Sequence, residues 1–389
     1  MTLPPWRESS SLILASRAPM HEVIGTNLSS VMGATKWNYS RESRSGTDFR
    51  LLMVKRSGLS SFMANAYVFP GGLTDMADFS PRWRDVFAAL GVGAPELEAV
   101  GQAIEGPRPP MIQNPLTVRR APSGPHYIPA DVAFRITAIR ESFEESGILL
   151  LTSTPGQGDD PATAIPTLPG PGMEAWRERV HQDPASFAEL CLQCGMCPNI
   201  WALREWWNWL TPVSVGHRRY DTMFYYCGLA KTPRASVDRQ EVTVMKWSSP
   251  QSMLEDNSTG RLFLAPPQVY ELSRMVHHQS FSALHNFAVR REKMGVQRWM
   301  PLIAPTEDGA LSMLPGDELY PAEPDLLRQS ASHPEFSLTL EQLRAKSRQL
   351  NRMEIRGPSV SIVCAMEKAC GHLNPVNGHL EDSTVQSFL

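Results

Sequence analysis

Arg140-Glu141-Ser142-Phe143-Glu144-Glu145-Ser146-Gly147-Ile148 is the stretch on which the reading of this chain turns. It closes the clearest helical pattern in the sequence, Asp131 to Ser146. Asp131 is a good N-cap, Pro129 lies just outside, and Gly147 suits the left-handed position that ends a helix. Val132, Ile136, Ile139 and Phe143 recur at helical spacing and predict one buried face. Glu141, Glu144 and Glu145 stand at i, i+3 and i+4, so they share a stripe away from that face. Three carboxylates on one stripe repel each other unless a cation neutralises them. Mg²⁺ and Mn²⁺ are hard cations that take such oxygens. Arg140, four residues before Glu144, is placed to hold that carboxylate. A solvated acidic face is the plain alternative for any Glu-rich helix.

Working outward, Ile148 to Leu151 reads as a strand, and upstream Phe49 to Lys55 reads as a buried one. Ala66 to Phe69 is a further short strand, stopped by Pro70-Gly71-Gly72. A long insertion follows, with a helical patch near 82–105 and a Pro-rich stretch over 107–129; loops of this length are often functional. Ser10 to Ala15 looks like a short strand, and 18–48 is polar and irregular. Residues 153–172 look like a linker, and 173–210, rich in Trp and Leu, reads as mostly helical. Tyr220 to Leu229 and Thr243 to Trp247 read as strands. From Pro266 the pattern is helical with loops, and the tail beyond about Asn374 is polar and expected to be flexible. The class is therefore α/β, in the α+β sense. A main domain over 9–265 carries insertions near 79–130 and 153–210, and a mostly helical extension follows over 266–389.

The chain has 389 residues and a formal net charge of -3, which gives no electrostatic footprint for nucleic acid or an anionic membrane. Arg290, Arg291 and Lys293 are interrupted by Glu292 and read as a solvated helix face. No apolar run approaches the ~18 residues that span a bilayer, so no membrane insertion is expected. Leu12 to Ala15 is too short for a secretory signal. Arg7, Arg17, Arg41 and Arg44 suit a mitochondrial presequence, while Glu8 and Glu22 weigh against one. An intracellular chain of this size is expected to keep its six cysteines as free thiols. Cys191, Cys194 and Cys197 have metal-site spacing, and Pro198 after them matches part of an iron–sulfur run. A fourth ligand is not evident nearby, so they are read as packing residues.

The order Arg-Glu-x-x-Glu-Glu-x-Gly-Ile at 140–148 resembles the second half of the Nudix box, with Ser142 a mild departure. The first half is not directly upstream, where His126 and Val132 occupy the expected places. Phe69-Pro70-Gly71-Gly72-Leu73-Thr74-Asp75 resembles its opening, and Asp78 falls where its glutamate belongs. The box is thus split by the insertion. That split is a feature of the nucleoside diphosphate-linked moiety X motif 19 subfamily of Nudix hydrolases, the coenzyme A diphosphatases, which this chain resembles over most of its length. The resemblance includes Leu51 to Ser57, Asp131 to Arg135, Ile200 to Leu203, Trp209 to Pro212, Arg219 to Thr222, Trp247 to Pro250, Pro266 to Gln268 and Leu314 to Tyr320. Arg56-Ser57 and Phe69 keep the separation of the coenzyme A motif. Ser61 stands where other members have Arg, and Asn65 where they have Gly; Asn tolerates positive φ.

The resemblance implies a Nudix fold, a mixed sheet sandwiched between helices. It implies Mg²⁺- or Mn²⁺-dependent hydrolysis of CoA and acyl-CoA esters to 3′,5′-ADP and 4′-phosphopantetheine or its acyl form. Glu141 and Glu145 are expected as main metal ligands and Glu144 as ligand or general base, with Arg140 supporting them. Glu241 is a candidate additional acid. Gly71 and Gly72 would form the turn toward the metal, and Lys55 and Arg56 end their strand where an anion could be met. Alternative readings are the same chemistry on ADP-ribose, NADH or a nucleotide sugar, and a silent Nudix-fold binding module that would lack the carboxylates. The terminal Ser387-Phe388-Leu389 matches a peroxisomal address only at its outer positions. With the family resemblance it gives an expectation of peroxisomal location, with mitochondrial or cytosolic location as rivals. Oligomeric state is not legible.

Overall fold

The computed structural model describes residues 3–18, 47–60, 63–120, 127–156, 158–165, 168, 172–215, 218–236, 242–327, 334–357 and 359–377. Glu241, Ser61, Arg41, Arg44 and the terminal Ser387-Phe388-Leu389 lie outside the described residues. The framework is a nine-stranded mixed sheet organised on β1 (Trp6–Arg17). Its other strands are β2 (Phe49–Arg56), β3 (Ala66–Val68), β4 (Gly71–Leu73), β7 (Arg204–Leu210), β8 (Arg219–Leu229), β9 (Val242–Ser248), β10 (Phe263–Leu264) and β11 (Arg298–Trp299). A separate two-stranded pair joins β5 (Leu151–Thr152) to β6 (Cys197–Pro198).

β1 runs parallel to β8 in unbroken register, from Trp6 opposite Arg219 to Ser16 opposite Leu229. Leu12, Ile13, Leu14 and Ala15 are fully buried, as a strand covered on both faces requires. The strand is longer than the Ser10–Ala15 run that apolar content predicts. Ser9 and Ser11 are buried too, because neighbours satisfy them: Ser9 Oγ lies 2.7 Å from Thr222 Oγ1, and Ser11 Oγ donates to Pro70 O at 3.1 Å.

β1 and β2 pair only where Ala15–Arg17 meets Phe49–Leu51, and then diverge. β3 pairs with β2 and β4 pairs with β1, so the chain from Ala66 to Leu73 occupies the resulting fork. The Ala130–Ser146 helix packs against β1 and β4, and the Phe281–Arg291 helix packs against β7 and β8. The helix predicted over 131–146 is present, and Gly147 ends it with φ of 70°. Pro129 rather than Asp131 stands at its N-cap. Asp131 lies in the first turn and is bound by Arg108 and Arg135 instead. The helix is buried on all sides from Val132 to Ser146, so its acidic stripe is not a solvated face. Asn65 adopts φ of 62°, so the turn tolerates asparagine at this site.

Two expectations are corrected. Residues 204–210 form β7 rather than the end of a helix: Trp206, Trp207 and Trp209 are buried in the sheet, the first two fully, and aromatic residues suit a pleated surface. Beyond the Pro266–Met275 and Phe281–Arg291 helices, the chain builds a second, antiparallel sheet in the order β12 (Leu302–Thr306), β13 (Gly309–Met313), β14 (Leu350–Arg356), β15 (Ser359–Ala365). One face, through Ala304, Leu311 and Met313, packs on Leu340 and Leu343 of the Leu340–Lys346 helix. Met353 and Ile362, on the opposite face, join the main core.

This second sheet is held by a fully buried ion pair: Arg352 Nε and Nη2 donate to the two carboxylate oxygens of Asp317, each at 2.6 Å. Asp317 also accepts from Asn351 N at 2.9 Å. Asp317→Ala leaves a buried guanidinium uncompensated and is expected to cost about 3–5 kcal/mol, read from the midpoint of chemical denaturation. An unchanged midpoint would show that water replaces the carboxylate without loss.

Candidate active site

The two halves of the split motif meet at one side chain. Arg140 is 2% exposed; its Nε and Nη2 donate to Asp78 Oδ1 and Oδ2, both at 2.8 Å. Nη2 also donates to Leu73 O at 2.9 Å. Nη1 donates to Glu141 Oε1 at 2.8 Å and Glu144 Oε1 at 2.7 Å. Asp78 is completed by the Thr137 hydroxyl at 2.8 Å and by Asp75 N at 3.0 Å. Burial alone would lower the Arg140 guanidinium, but Asp78, Glu141 and Glu144 outweigh that and hold it well above its ordinary value. Burial pushes the Glu141 carboxyl up to about 8; Arg140 opposes the rise, while Glu144 and Asp78 add to it. One guanidinium thus faces three carboxylates, and negative charge is in excess.

The glycines of the fork lie against the same helix. Gly71 N donates to Glu145 Oε2 at 2.9 Å, so the loop is tied to the third glutamate. Gly71 has φ of 154°, and a Cβ there would lie 2.3 Å from Ser10 O. A Cβ on Gly72 would lie 2.2 Å from Glu141 Oε2, so only glycine leaves that carboxylate its place. His181, on the Met173–Gln182 helix, brings Nδ1 to 3.3 Å from Glu144 Oε2. Arg177 donates to the carbonyls of Glu144 and Glu145 at 2.6 and 2.7 Å, closing the C-terminal turn of the Ala130–Ser146 helix.

These groups form one wall of a cavity of about 790 Å³. Glu141, Glu144, Arg140 and His181 line it, with Gly71 and Gly72. Arg7, Arg56 and Arg120 line it as well; Arg7 and Arg120 are exposed and Arg56 is half-buried, so cations stand at its rim. Arg120 is fixed by Pro4 O and Trp6 O at 2.8 and 2.7 Å. Arg56 donates to Ser60 Oγ at 2.9 Å. Farther along, the wall is apolar and includes Trp209, Leu210 and the face of the second sheet bearing Ile303 and Ile355.

The NUDT19 Nudix domain family matches residues 6–275, and the NUDT19 C-terminal domain family matches 303–365. The chain belongs to the NUDT19 family of Nudix hydrolases. Curated relatives named acyl-coenzyme A diphosphatase NUDT19 are similar almost throughout. The one from Gallus gallus is 38% identical over 99% of this chain and 98% of its own length. That from Xenopus laevis is 36% identical over 96% and 97%, and that from Homo sapiens 40% identical over 78% and 80%.

Nudix hydrolases generally need a divalent metal, and this NUDT19 site suits one in kind. Its donors are all carboxylate oxygens, and its negative charge exceeds its positive charge. Among the described residues, no three His, Cys, Asp or Glu side chains already converge on one point. Arg140 Nη1 binds both Glu141 and Glu144, and Glu145 turns to the Gly71 amide, so holding a cation requires these side chains to rotate. Cys191, Cys194 and Cys197 are free thiols, and burial raises all three, Cys197 to about 12.

Of the sequence candidates, the structure gathers Arg140, Glu141, Glu144, Gly71, Gly72 and Arg56 around one space, while Glu145 lies behind the glycine loop on the Gly71 amide and is not a lining residue. Lys55 is not a lining residue of the cavity. Arg7, Arg120 and His181 were missed. Arg7, Arg120 and His181 belong to no local motif; Arg7 and Arg120 reach the rim through β1 and the contact of Arg120 with Trp6 O. Lysine cannot make the forked contact to Asp78 while reaching Leu73 O and two glutamates. Arg140→Lys is therefore expected to lose about 2–4 kcal/mol of stability by urea denaturation. A loss below the error of that measurement would mean that Arg140 does not join the two halves.

Proposed function

We propose that this chain hydrolyses the diphosphate of CoA and acyl-CoA esters, releasing 3′,5′-ADP and 4′-phosphopantetheine or its acyl form. Mg²⁺ or Mn²⁺ would be held by Glu141, Glu144 and Glu145. The observation that carries the reading is the joining of Asp78, Arg140, Glu141 and Glu144 on one wall of a cavity rimmed by Arg7, Arg56 and Arg120. The names of the curated relatives supply the substrate class.

A bound divalent cation withdraws charge from diphosphate oxygens and acidifies water there. The protein's own groups do the rest. Arg140 gathers Glu141 and Glu144 on the cavity wall from one guanidinium, and both carboxylates would turn from it to hold the cation. Glu144 or Glu145 accepts the proton of the attacking water. His181, against Glu144 Oε2, can take that proton onward toward solvent, since it is about a third exposed (30%). Arg7, Arg56 and Arg120 meet the phosphate charges of the nucleotide end.

Glu145→Gln keeps the shape and removes an anionic ligand. Turnover of free CoA is expected to fall roughly 10²-fold or more, with products read by mass. Turnover within threefold of the unmodified protein would sink the assignment. The three rim arginines predict a preference for the 3′-phosphate: CoA should exceed dephospho-CoA in kcat/KM, and Arg56→Gln should narrow the gap. Equal kcat/KM for the two substrates would remove the phosphate contact while leaving the hydrolase reading intact. Peroxisomal location is part of the proposal. With a fluorescent tag ahead of Met1 the signal should be punctate; a diffuse signal there, with mitochondrial signal when the tag follows Leu389, would rule it out.

A further inference from the structure

The cavity continues past the carboxylates to a surface made by the second sheet. Strand alternation divides that sheet into two faces. Register places Ile303 opposite Ser312, Ser312 opposite Met353, and Ile355 opposite Val360, so these side chains share a face. All five line the cavity. The other face is already used, through Ala304, Leu311 and Met313, by the Leu340–Lys346 helix. The cavity-lining face therefore has one polar side chain, Ser312, among four apolar ones.

The sheet order sets the distance from the chemistry. β4, which bears Gly71 and Gly72, pairs with β1; β1 pairs with β8, β8 with β7, and β7 with β11. That is four strand spacings, roughly 19 Å. The chain leaves β11 at Trp299 and reaches Ile303 through Pro301, another lining residue. Lining residues change in the same direction, from Ser10 and Ser11 on β1, through Thr222 and Phe224 on β8, to Trp209 and Leu210 on β7.

Building on the diphosphatase reading, we infer that the face formed by Ile303, Met353, Ile355 and Val360 is the binding site for the acyl chain of the substrate. With the diphosphate at Glu141 and Glu144, the pantetheine arm is the only part of the substrate that leaves toward the apolar end. The nucleotide half carries phosphates, and Arg56 stands at the end of β2, on the side of β1 away from β8, β7 and β11. The main chain of the arm, roughly thirteen atoms, extends about 15 Å by polyamide dimensions. Its sulfur then falls near β7 and β11, and whatever is esterified to it meets the second sheet. The apolar surface is removed from water only when an acyl group is present, which makes longer chains the better substrates.

The test uses the full chain. Ile355→Trp and, separately, Val360→Trp fill this end of the cavity. The ratio of kcat/KM for dodecanoyl-CoA to that for free CoA is expected to drop at least tenfold, mostly through KM. An unchanged ratio in variants that hydrolyse CoA overturns the inference. Failure of the unmodified chain to hydrolyse CoA at all would overturn the diphosphatase reading instead. A second measurement needs no variant: dodecanoyl-CoA with a diazirine at the chain end is photolysed on the unmodified protein in calcium buffer. Labelling of peptides within 301–313 or 350–365 supports the site. Labelling confined to residues 173–194, or to the rim around Arg7 and Arg120, overturns it, the latter showing that the nucleotide occupies the apolar end.

Discussion

The site depends on the burial of one guanidinium. Arg140 binds Asp78 from the first half of the motif, and Glu141 and Glu144 from the second, while a further bond to Leu73 O holds the glycine loop. A buried charge left without partners would cost several kcal/mol, so the sequence on either side must bring carboxylates to it. Three arrive where one would balance. Burial is the main reason the Glu141 carboxyl is raised, and the neighbouring Glu144 and Asp78 add to the rise. The arrangement is costly for stability alone, as functional sites often are.

The fork between β1 and β2 provides the space. Were the two strands paired along their whole length, the Phe69-Pro70-Gly71-Gly72 segment would have no edge to join. Instead Leu12 N donates to Pro70 O at 2.7 Å and Thr74 N to Glu8 O at 3.1 Å, so β4 completes β1 below the divergence. Residues 79–130 then fit between the motif halves without disturbing them. Entropy of a loop rises only about 0.6 kcal/mol per doubling of length. The inserted chain is moreover anchored at both ends: Trp83 Nε1 donates to Ala77 O at 2.8 Å, and Glu8 accepts from Leu116 N and Thr117 N at 2.7 and 2.8 Å. The insertion thereby delivers Arg120 to the rim.

How much of this was legible depended on the range of the interaction. The helix and its glycine stop follow from spacing within one element, whereas its cap at Pro129 and its burial on all sides depend on neighbours that spacing does not show. The resemblance placed Asp78 in the first half of the motif, but its ion pair with Arg140 was not readable, because nothing in composition links residues so far apart. β7 was misread because Glu205-Trp206-Trp207-Asn208-Trp209-Leu210 carries no clean period of two: it is buried on both faces, and a register shift falls between Glu205 and Trp207. The second sheet escaped for another reason. Its strands are short, β12 contains Pro305, and residues 314–349 separate the two hairpins, so no local alternation runs long enough to be seen. Arg7 was not singled out as a cavity residue because a lone basic residue near a chain start carries no local signal of what it faces.

The second sheet also explains the shape of the cavity. β11 is only two residues long, parallel to β7, and the chain passes directly from it through Pro301 into β12. The sheet is therefore delivered at the far edge of the main sheet, beyond the aromatic layer of Trp207, Trp209, Tyr270 and Trp299. Arg274 lies among these rings, 4.5 Å from the Trp207 centroid and 4.7 Å from that of Tyr270, with Glu271 as its carboxylate partner. Tyr270 in turn donates to Asn351 Oδ1 at 2.7 Å, on β14 itself. The aromatic layer, with Arg274 among its rings, thus ties the second sheet to the main sheet. The separation between Glu141 and Glu144 at one end of the cavity and Ile303 and Ile355 at the other is consequently set by the packing of the fold itself.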